Sequence, residues 1–165
     1  MMPNELSSQS TGAGLLIGER LLLTVWIGSQ WAIGYLAVPV LFHMLDDRQL
    51  AGNVAGQMFF IVYLIGLVAA PLLLLGVWLR SNNGFREWRV WMLAVMIVLI
   101  VIGMFVLQPM MQELKAQGEL VQGTEPARQF GRLHGISSVL YLVTSLLGLV
   151  LVLFGQHSLA RKNAT

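Results

Sequence analysis

The sequence predicts an all-α protein, a four-helix transmembrane bundle, and three observations carry that prediction. Charged residues make up only 11% of the 165 residues while hydrophobic ones make up 56%. A soluble domain carries roughly 25% charged residues, so much of this surface must face something other than water. Four stretches lack any charged side chain: Leu21 to Phe42, Met58 to Leu79 and Gly135 to Gln156 with 22 residues each, and Val90 to Gln112 with 23. About 20 helical residues cross a hydrocarbon core about 30 Å thick. Finally, runs such as Leu72-Leu73-Leu74-Leu75 and Val98-Leu99-Ile100-Val101 do not alternate polar with apolar residues, as barrel strands would. Helix is then the form that satisfies every backbone polar group inside lipid.

The chain opens on residues 1–14, whose Ser7, Ser8, Ser10 and Thr11 predict a disordered tail. The membrane domain then covers 15–157, with spans of about 20–43, 56–80, 88–112 and 130–156, and a C-terminal tail follows over 158–165. The first apolar stretch is too long for the core of a signal peptide and ends on Pro39, Leu41 and Phe42 without a small-residue cleavage site, so it is expected to be retained. Ser81-Asn82-Asn83-Gly84 predicts a tight turn between the second and third spans, because Asn and Gly adopt positive φ at low cost. Thr124-Glu125-Pro126 predicts a helix start ahead of the fourth span, with Thr124 as N-cap.

Four crossings place both termini on one side of the membrane. That side holds Arg20, Arg80, Arg86, Arg89, Arg161 and Lys162, against Arg48, Lys115, Arg128 and Arg132 on the other, 6 basic residues to 4. The excess predicts cytoplasmic termini. The absence of cysteine excludes disulfides, thiolate metal sites and cysteine nucleophiles. A net charge of +2 from scattered sites excludes a nucleic-acid partner. No nucleophile–base constellation, phosphate loop or dinucleotide fingerprint is present.

Polar residues within spans point to a site, because they are costly there. On the fourth span His134, Ser138, Tyr141, Ser145 and Gly148 share one helical face; on the first Thr24, Gly28, Trp31 and Tyr35 do, with Gln30 beside them; on the second Tyr63, Gly66 and Ala70 do. The third span, almost uniformly aliphatic around Gly103 and Gln108, is expected to be the most lipid-exposed. Two readings follow. One is a packing seam of small and hydrogen-bonding residues. The other is a polar cavity between the first, second and fourth helices, open to the outer side, with His134, Ser138, Tyr141, Trp31, Tyr35 and Arg132 as ligand-binding candidates.

His43 and His134 both fall at the outer boundary, with Met44, Met58, Met104, Met110, Met111, Asp46 and Asp47 nearby in the sequence pattern. Imidazole and thioether together suit copper in its reduced state, which makes His43, His134 and Met44 metal candidates. No two histidines show metal-motif spacing, and methionine is also an ordinary filler of apolar helices. Glu19-Arg20 is expected to form an interfacial charge pair, and Arg128 and Arg132 to snorkel or to hold an anion.

The motifs Trp26-x-Gly28 with Pro39-x-Leu41-Phe42, Ala51-Gly52-x-x-Ala55-Gly56-x-x-Phe59, and Phe130-Gly131-Arg132-Leu133-His134-Gly135-x-Ser137 come in order on the first, second and fourth helices. Together they resemble a bacterial membrane family of unknown function that groups with animal transmembrane protein 205. More distantly the chain is similar to copper-resistance protein D and HemJ-type protoporphyrinogen oxidase. The resemblance implies a multi-pass protein of the bacterial cytoplasmic (inner) membrane and hints at soft-metal or haem chemistry. Glu19-Arg20 stands where the haem- and copper-handling families tend to carry a histidine, which counts against haem. Three function classes stay open: a small-ligand or soft-metal binding or transport protein, a haem- or metal-dependent membrane oxidoreductase, and a structural subunit that pairs with another membrane protein or with itself.

Overall fold

The computed structural model describes residues 3–80, 87–118, 120–121 and 123–155, with the backbone alone for 3–13 and 15. Every element among them is helical. Helix α1 runs Pro3–Trp31 and passes through a π-helical segment, Ala32–Ala37, into α2, Val38–Met44. Helix α3 is Arg48–Arg80; α4, Trp88–Ile102, passes through a second π segment, Gly103–Leu107, into α5, Gln108–Ala116; α6 is Glu125–Phe154. Four helical rods result, Leu16–Met44, Arg48–Arg80, Trp88–Ala116 and Glu125–Phe154, each long and apolar enough to cross a bilayer. At 1.5 Å per residue the 33 residues of α3 reach about 50 Å, so that rod outreaches the hydrocarbon core or tilts within it.

Both π segments end two residues before a proline, Pro39 in one case and Pro109 in the other. Proline has no N–H to donate and its ring crowds the carbonyl of the preceding turn. Widening that turn to an i→i+5 pattern relieves the crowding, as the bonds from the N–H of Val38 to the Ile33 carbonyl and of Gln108 to the Gly103 carbonyl show. Pro71 sits inside α3 without a π segment. Each widened turn rotates the faces that follow it, and both lie in the halves of their spans remote from Arg80 and Arg89.

The rods pack in a cycle: α1 on α3, α3 on α4, α4 on α6, and α6 on α1. One core cluster takes Leu23, Trp26 and Ile27 from α1, Val62, Tyr63 and Leu73 from α3, Met96 and Ile100 from α4, and Tyr141 and Leu151 from α6. Its characteristic contact is a bulky side chain laid on a glycine of another rod. Trp26 and Ile100 lie over Gly66, Ile27 over Gly148, Tyr63 over Gly103 and Tyr141 over Gly34. Because lipid is as apolar as leucine, such close fits rather than water exclusion hold membrane helices together.

Two expectations change here. The third rod is not the most lipid-exposed: 33% of its most apolar stretch is buried, against 22% for the first. Aliphatic residues such as Leu93 and Met96 pack against helices as readily as against lipid, so polarity does not reveal their direction. On the first rod, the buried stripe is Leu23, Trp26, Ile27 and Gln30, while Thr24 and Gly28 face outward. The glycines of the partner rods select that stripe, since they admit Trp26 and Ile27. The backbone from Pro3 onward continues α1. Adding turns to an existing helix is far less costly than starting one. The turn expected at Ser81 to Gly84 lies outside the described residues, as do His157, Arg86, Arg161 and Lys162.

At the other end of the rods, Asp47 caps α3, its Oδ1 accepting from the backbone N–H of Gln49 at 2.8 Å and Leu50 at 3.0 Å. Thr124 holds the N-cap position of α6 as expected, with φ −78° and ψ 157°. Its hydroxyl nevertheless donates back to the Val121 carbonyl at 2.7 Å instead of capping the helix. Gly118 and Gly123 take positive φ in the short connection between α5 and α6, a conformation open to glycine at no steric cost.

Candidate functional site

The two halves of the rods differ in character: one is a packing seam, and the other holds a cavity that the third rod lines together with the first, second and fourth. In one half the faces close on each other around Trp26, Gly66, Ile100 and Gly148. In the other half they part around a cavity of about 400 Å³. Its near wall is the α3 face Gly52, Ala55, Gly56 and Phe59, small residues at i, i+3 and i+4 that leave room, with Tyr63 one turn further in. Gln108, Gln112 and Lys115 form a polar ladder down one face of α5, beside Met111. His134, Ser137, Ser138 and Tyr141 face them from α6, and Gly34, Tyr35, Val38 and Phe42 complete the lining from the first rod.

The floor is aromatic. Tyr63 and Tyr141 are both buried and meet edge-on with ring centroids 6.4 Å apart, and Phe59 meets Tyr141 at 5.0 Å. Tyr141 reaches across the floor, its hydroxyl donating to the Gln30 carbonyl at 2.5 Å. The Gly34 backbone permits this, because the Tyr141 ring occupies the space a side chain there would need. Ser138 and Ser145 turn their hydroxyls back to the carbonyls of His134 and Tyr141, both at 2.8 Å, which satisfies them within α6.

At the mouth, Lys115 Nζ donates to the Gly52 carbonyl at 3.2 Å and to Asn53 Oδ1 at 3.1 Å, and stands 5.6 Å from the centre of the Phe130 ring. His134 stacks on Phe130 with ring centroids 6.0 Å apart and planes 7° apart. The described lining contains a lysine, a histidine and two glutamines but no carboxylate. It therefore suits a ligand that is neutral or negative, and partly apolar.

The sequence candidates divide. His134, Ser138, Tyr141 and Tyr35 line the cavity. Trp31 lies just beside it, 4.7 Å from Tyr35 between ring centroids, with its indole N–H donating to the Ser145 carbonyl at 3.4 Å. Arg132 does not join them: it borders a shallow depression on another face of α6 with Gly131, Gly135 and Ile136. His43 and Met44 are exposed at the end of α2 and are absent from the cavity lining, so the cavity brings together one imidazole, His134, and one thioether, Met111. Among the described residues, no three of His, Cys, Asp and Glu group closely enough to hold a metal ion.

Sequence reasoning missed the α5 ladder, because Gln108 and Gln112 stand at the end of a span expected to face lipid and Lys115 falls beyond it, among the charges expected on the outer side. Their i, i+4, i+7 spacing was the available signal. It also missed the partners of Glu19. The Glu19 carboxylate does not pair with Arg20, which is exposed; it accepts from Arg89 and is ion-paired with Arg80. The three residues tie the first, second and third rods together at the end opposite the cavity. Charged residues at the same membrane boundary, read across helices rather than along the chain, would have suggested it.

A profile described as a domain of unknown function, DUF4149, matches residues 21–120. The chain belongs to the DUF4149 family. The DUF4149 match covers the first rod from Leu21 on, the second and third rods and the walls they give the cavity, and ends before α6 supplies His134, Ser137, Ser138 and Tyr141. Membership of a family of unknown function agrees with the sequence resemblance at that level. No curated protein and no solved structure matches the chain, so the likeness to transmembrane protein 205, copper-resistance protein D and the HemJ-type proteins rests on the motifs alone. Four membrane-crossing helices make this DUF4149 member a multi-pass integral membrane protein.

Proposed function

We propose that this protein is a four-helix bundle of the bacterial inner membrane that binds a small, partly apolar molecule in the cavity and holds or passes it there. The observation that carries the reading is the cavity itself: about 400 Å³, within the range of small-molecule sites, with a mostly apolar lining and a few converging polar groups. Lys115, His134, Gln108 and Gln112 would orient the ligand, and Tyr63 and Tyr141 would form its stop. The proposed topology puts both termini in the cytoplasm, supported by the basic residues at that end, so that the cavity opens on the outer side.

Native mass spectrometry of the protein extracted gently from membranes tests this reading. A small molecule should be retained at one per chain and lost from Gly56→Leu, whose new side chain would grow into the cavity with only Gln112 as near as 4.0 Å. Equal retention by both proteins, or none by either, would overturn the reading. For the topology, a reporter fused to the C-terminus that is active only outside the cytoplasm should stay silent.

A further inference from the structure

The cavity has a second opening, through its side. The first π segment meets α6 where Tyr141 lies on Gly34; beyond that contact, toward the mouth, α2 packs mainly on α3. The residues bordering that gap line the cavity and are also exposed: Tyr35 at 40% and Leu142 at 45%. Tyr35 lies eight residues inward from His43, and Leu142 eight inward from His134. With His43 and His134 expected at the membrane boundary, 1.5 Å per residue puts both about 12 Å below it, at the depth of hydrocarbon. At that depth the gap would meet lipid rather than water.

The polar groups are stacked the other way. Lys115 is at the mouth, Gln112 and Gln108 follow inward on the same face, and Val38, Phe42 and Leu142 flank the gap. A cation at the boundary with apolar residues beneath reproduces the order of an outer-leaflet amphiphile, head outward and chain inward. From this we infer, resting on the binding role proposed above, that the occupant is a single-chain amphiphile with a carboxylate head. It reaches the cavity sideways from the bilayer, its head on Lys115 and its chain between α2 and α6. A carboxylate matches an ammonium that meets no acid in the described lining, through a charge-assisted hydrogen bond. The proline-driven π segment lies where the path opens, between α1, which packs on α6, and α2, which packs on α3.

Photoreactive palmitate, with a diazirine on its chain, tests this with the protein in phosphatidylcholine nanodiscs, so that no detergent competes. Adducts located by peptide mass spectrometry should gather on Tyr35, Val38, Phe42 and Leu142. Lys115→Gln should weaken labelling about tenfold, the scale of a hydrogen bond to a charged group, and Lys115→Arg should restore much of it. On the wild-type protein, unlabelled palmitate should compete well, hexadecanol about tenfold less well, and butyrate not at all. Labelling spread evenly over the lipid-facing Val139 and Leu146 and unchanged in Lys115→Gln would overturn the inference. Competition by butyrate matching that by palmitate would overturn it too, while leaving a water-borne ligand for the cavity. Even labelling combined with no retained molecule in the mass spectrum would remove the inference and the binding role together.

Discussion

Replacing Glu19 with Gln removes the anion from a cluster of three charges at the closed end of the molecule. The Glu19 side chain is 9% exposed, as is that of Arg89, while Arg80 is 29% exposed. Removing one member of a buried ion pair costs about 3–5 kcal/mol, because the other charge stays buried and unpaired. Arg89 meets that condition. Arg80 has more access to its surroundings and its Nε already donates to the Gly76 carbonyl at 3.0 Å, so its share falls toward the surface range of about 0–1 kcal/mol. Glu19→Gln should therefore destabilise by about 3 kcal/mol, nearly all of it through Arg89. Arg80→Gln should cost about 1 kcal/mol or less. Changing both Glu19 and Arg89 to Met should recover most of the loss, since only the more exposed Arg80 is then left without its carboxylate. Reversible unfolding by denaturant titration in mixed micelles, followed by helical circular dichroism, measures each difference. If Glu19→Gln and the double variant lie within about 0.5 kcal/mol of each other, the cluster is hydrated and the reasoning fails.

Three further outcomes follow from the packing. Gly66→Ala would put its new carbon 2.7 Å from Trp26 Nε1 and 2.9 Å from Ile100 Cδ1 and should cost about 1–3 kcal/mol, whereas Gly28→Ala meets nothing within 4 Å and should be neutral or slightly stabilising; paired unfolding curves decide it. Tyr141→Phe keeps the ring at the cavity floor but loses the hydrogen bond to the Gln30 carbonyl, for a loss of about 1 kcal/mol in the same assay with little change in ligand retention. Asp47→Ala leaves two backbone donors of α3 without their cap and should cost about 1 kcal/mol, while Asp46→Ala, outside the cap, should change little.

Much of the architecture is legible in the residues because the bilayer imposes it. A run of 22 uncharged residues has few options in lipid other than to form a helix and cross, so Leu21 to Phe42 and its three counterparts declare themselves by length alone. His134, Ser138, Tyr141 and Tyr35 could be picked out for a related reason, since a polar group within a span needs a partner or a cavity. Direction is another matter. Leucine gains as much from lipid as from a neighbouring helix, so nothing in the third span's composition announces that Leu93, Met96 and Ile100 point inward.

Tertiary structure decided three things that no periodicity held. Which stripe of the first rod is buried depends on Gly66 and Gly148, which lie on other helices and admit Trp26 and Ile27. Whether Glu19 pairs with its neighbour Arg20 or with Arg80 and Arg89 depends on three rods ending at one level. Where the seam gives way to a cavity depends on turns widened before Pro39 and Pro109, which shift every following side chain around its helix. Four crossings follow from local energetics, each span against lipid by itself. The inward face, the charge cluster and the cavity follow from fits between spans far apart in the chain, where the deciding term is shape rather than polarity.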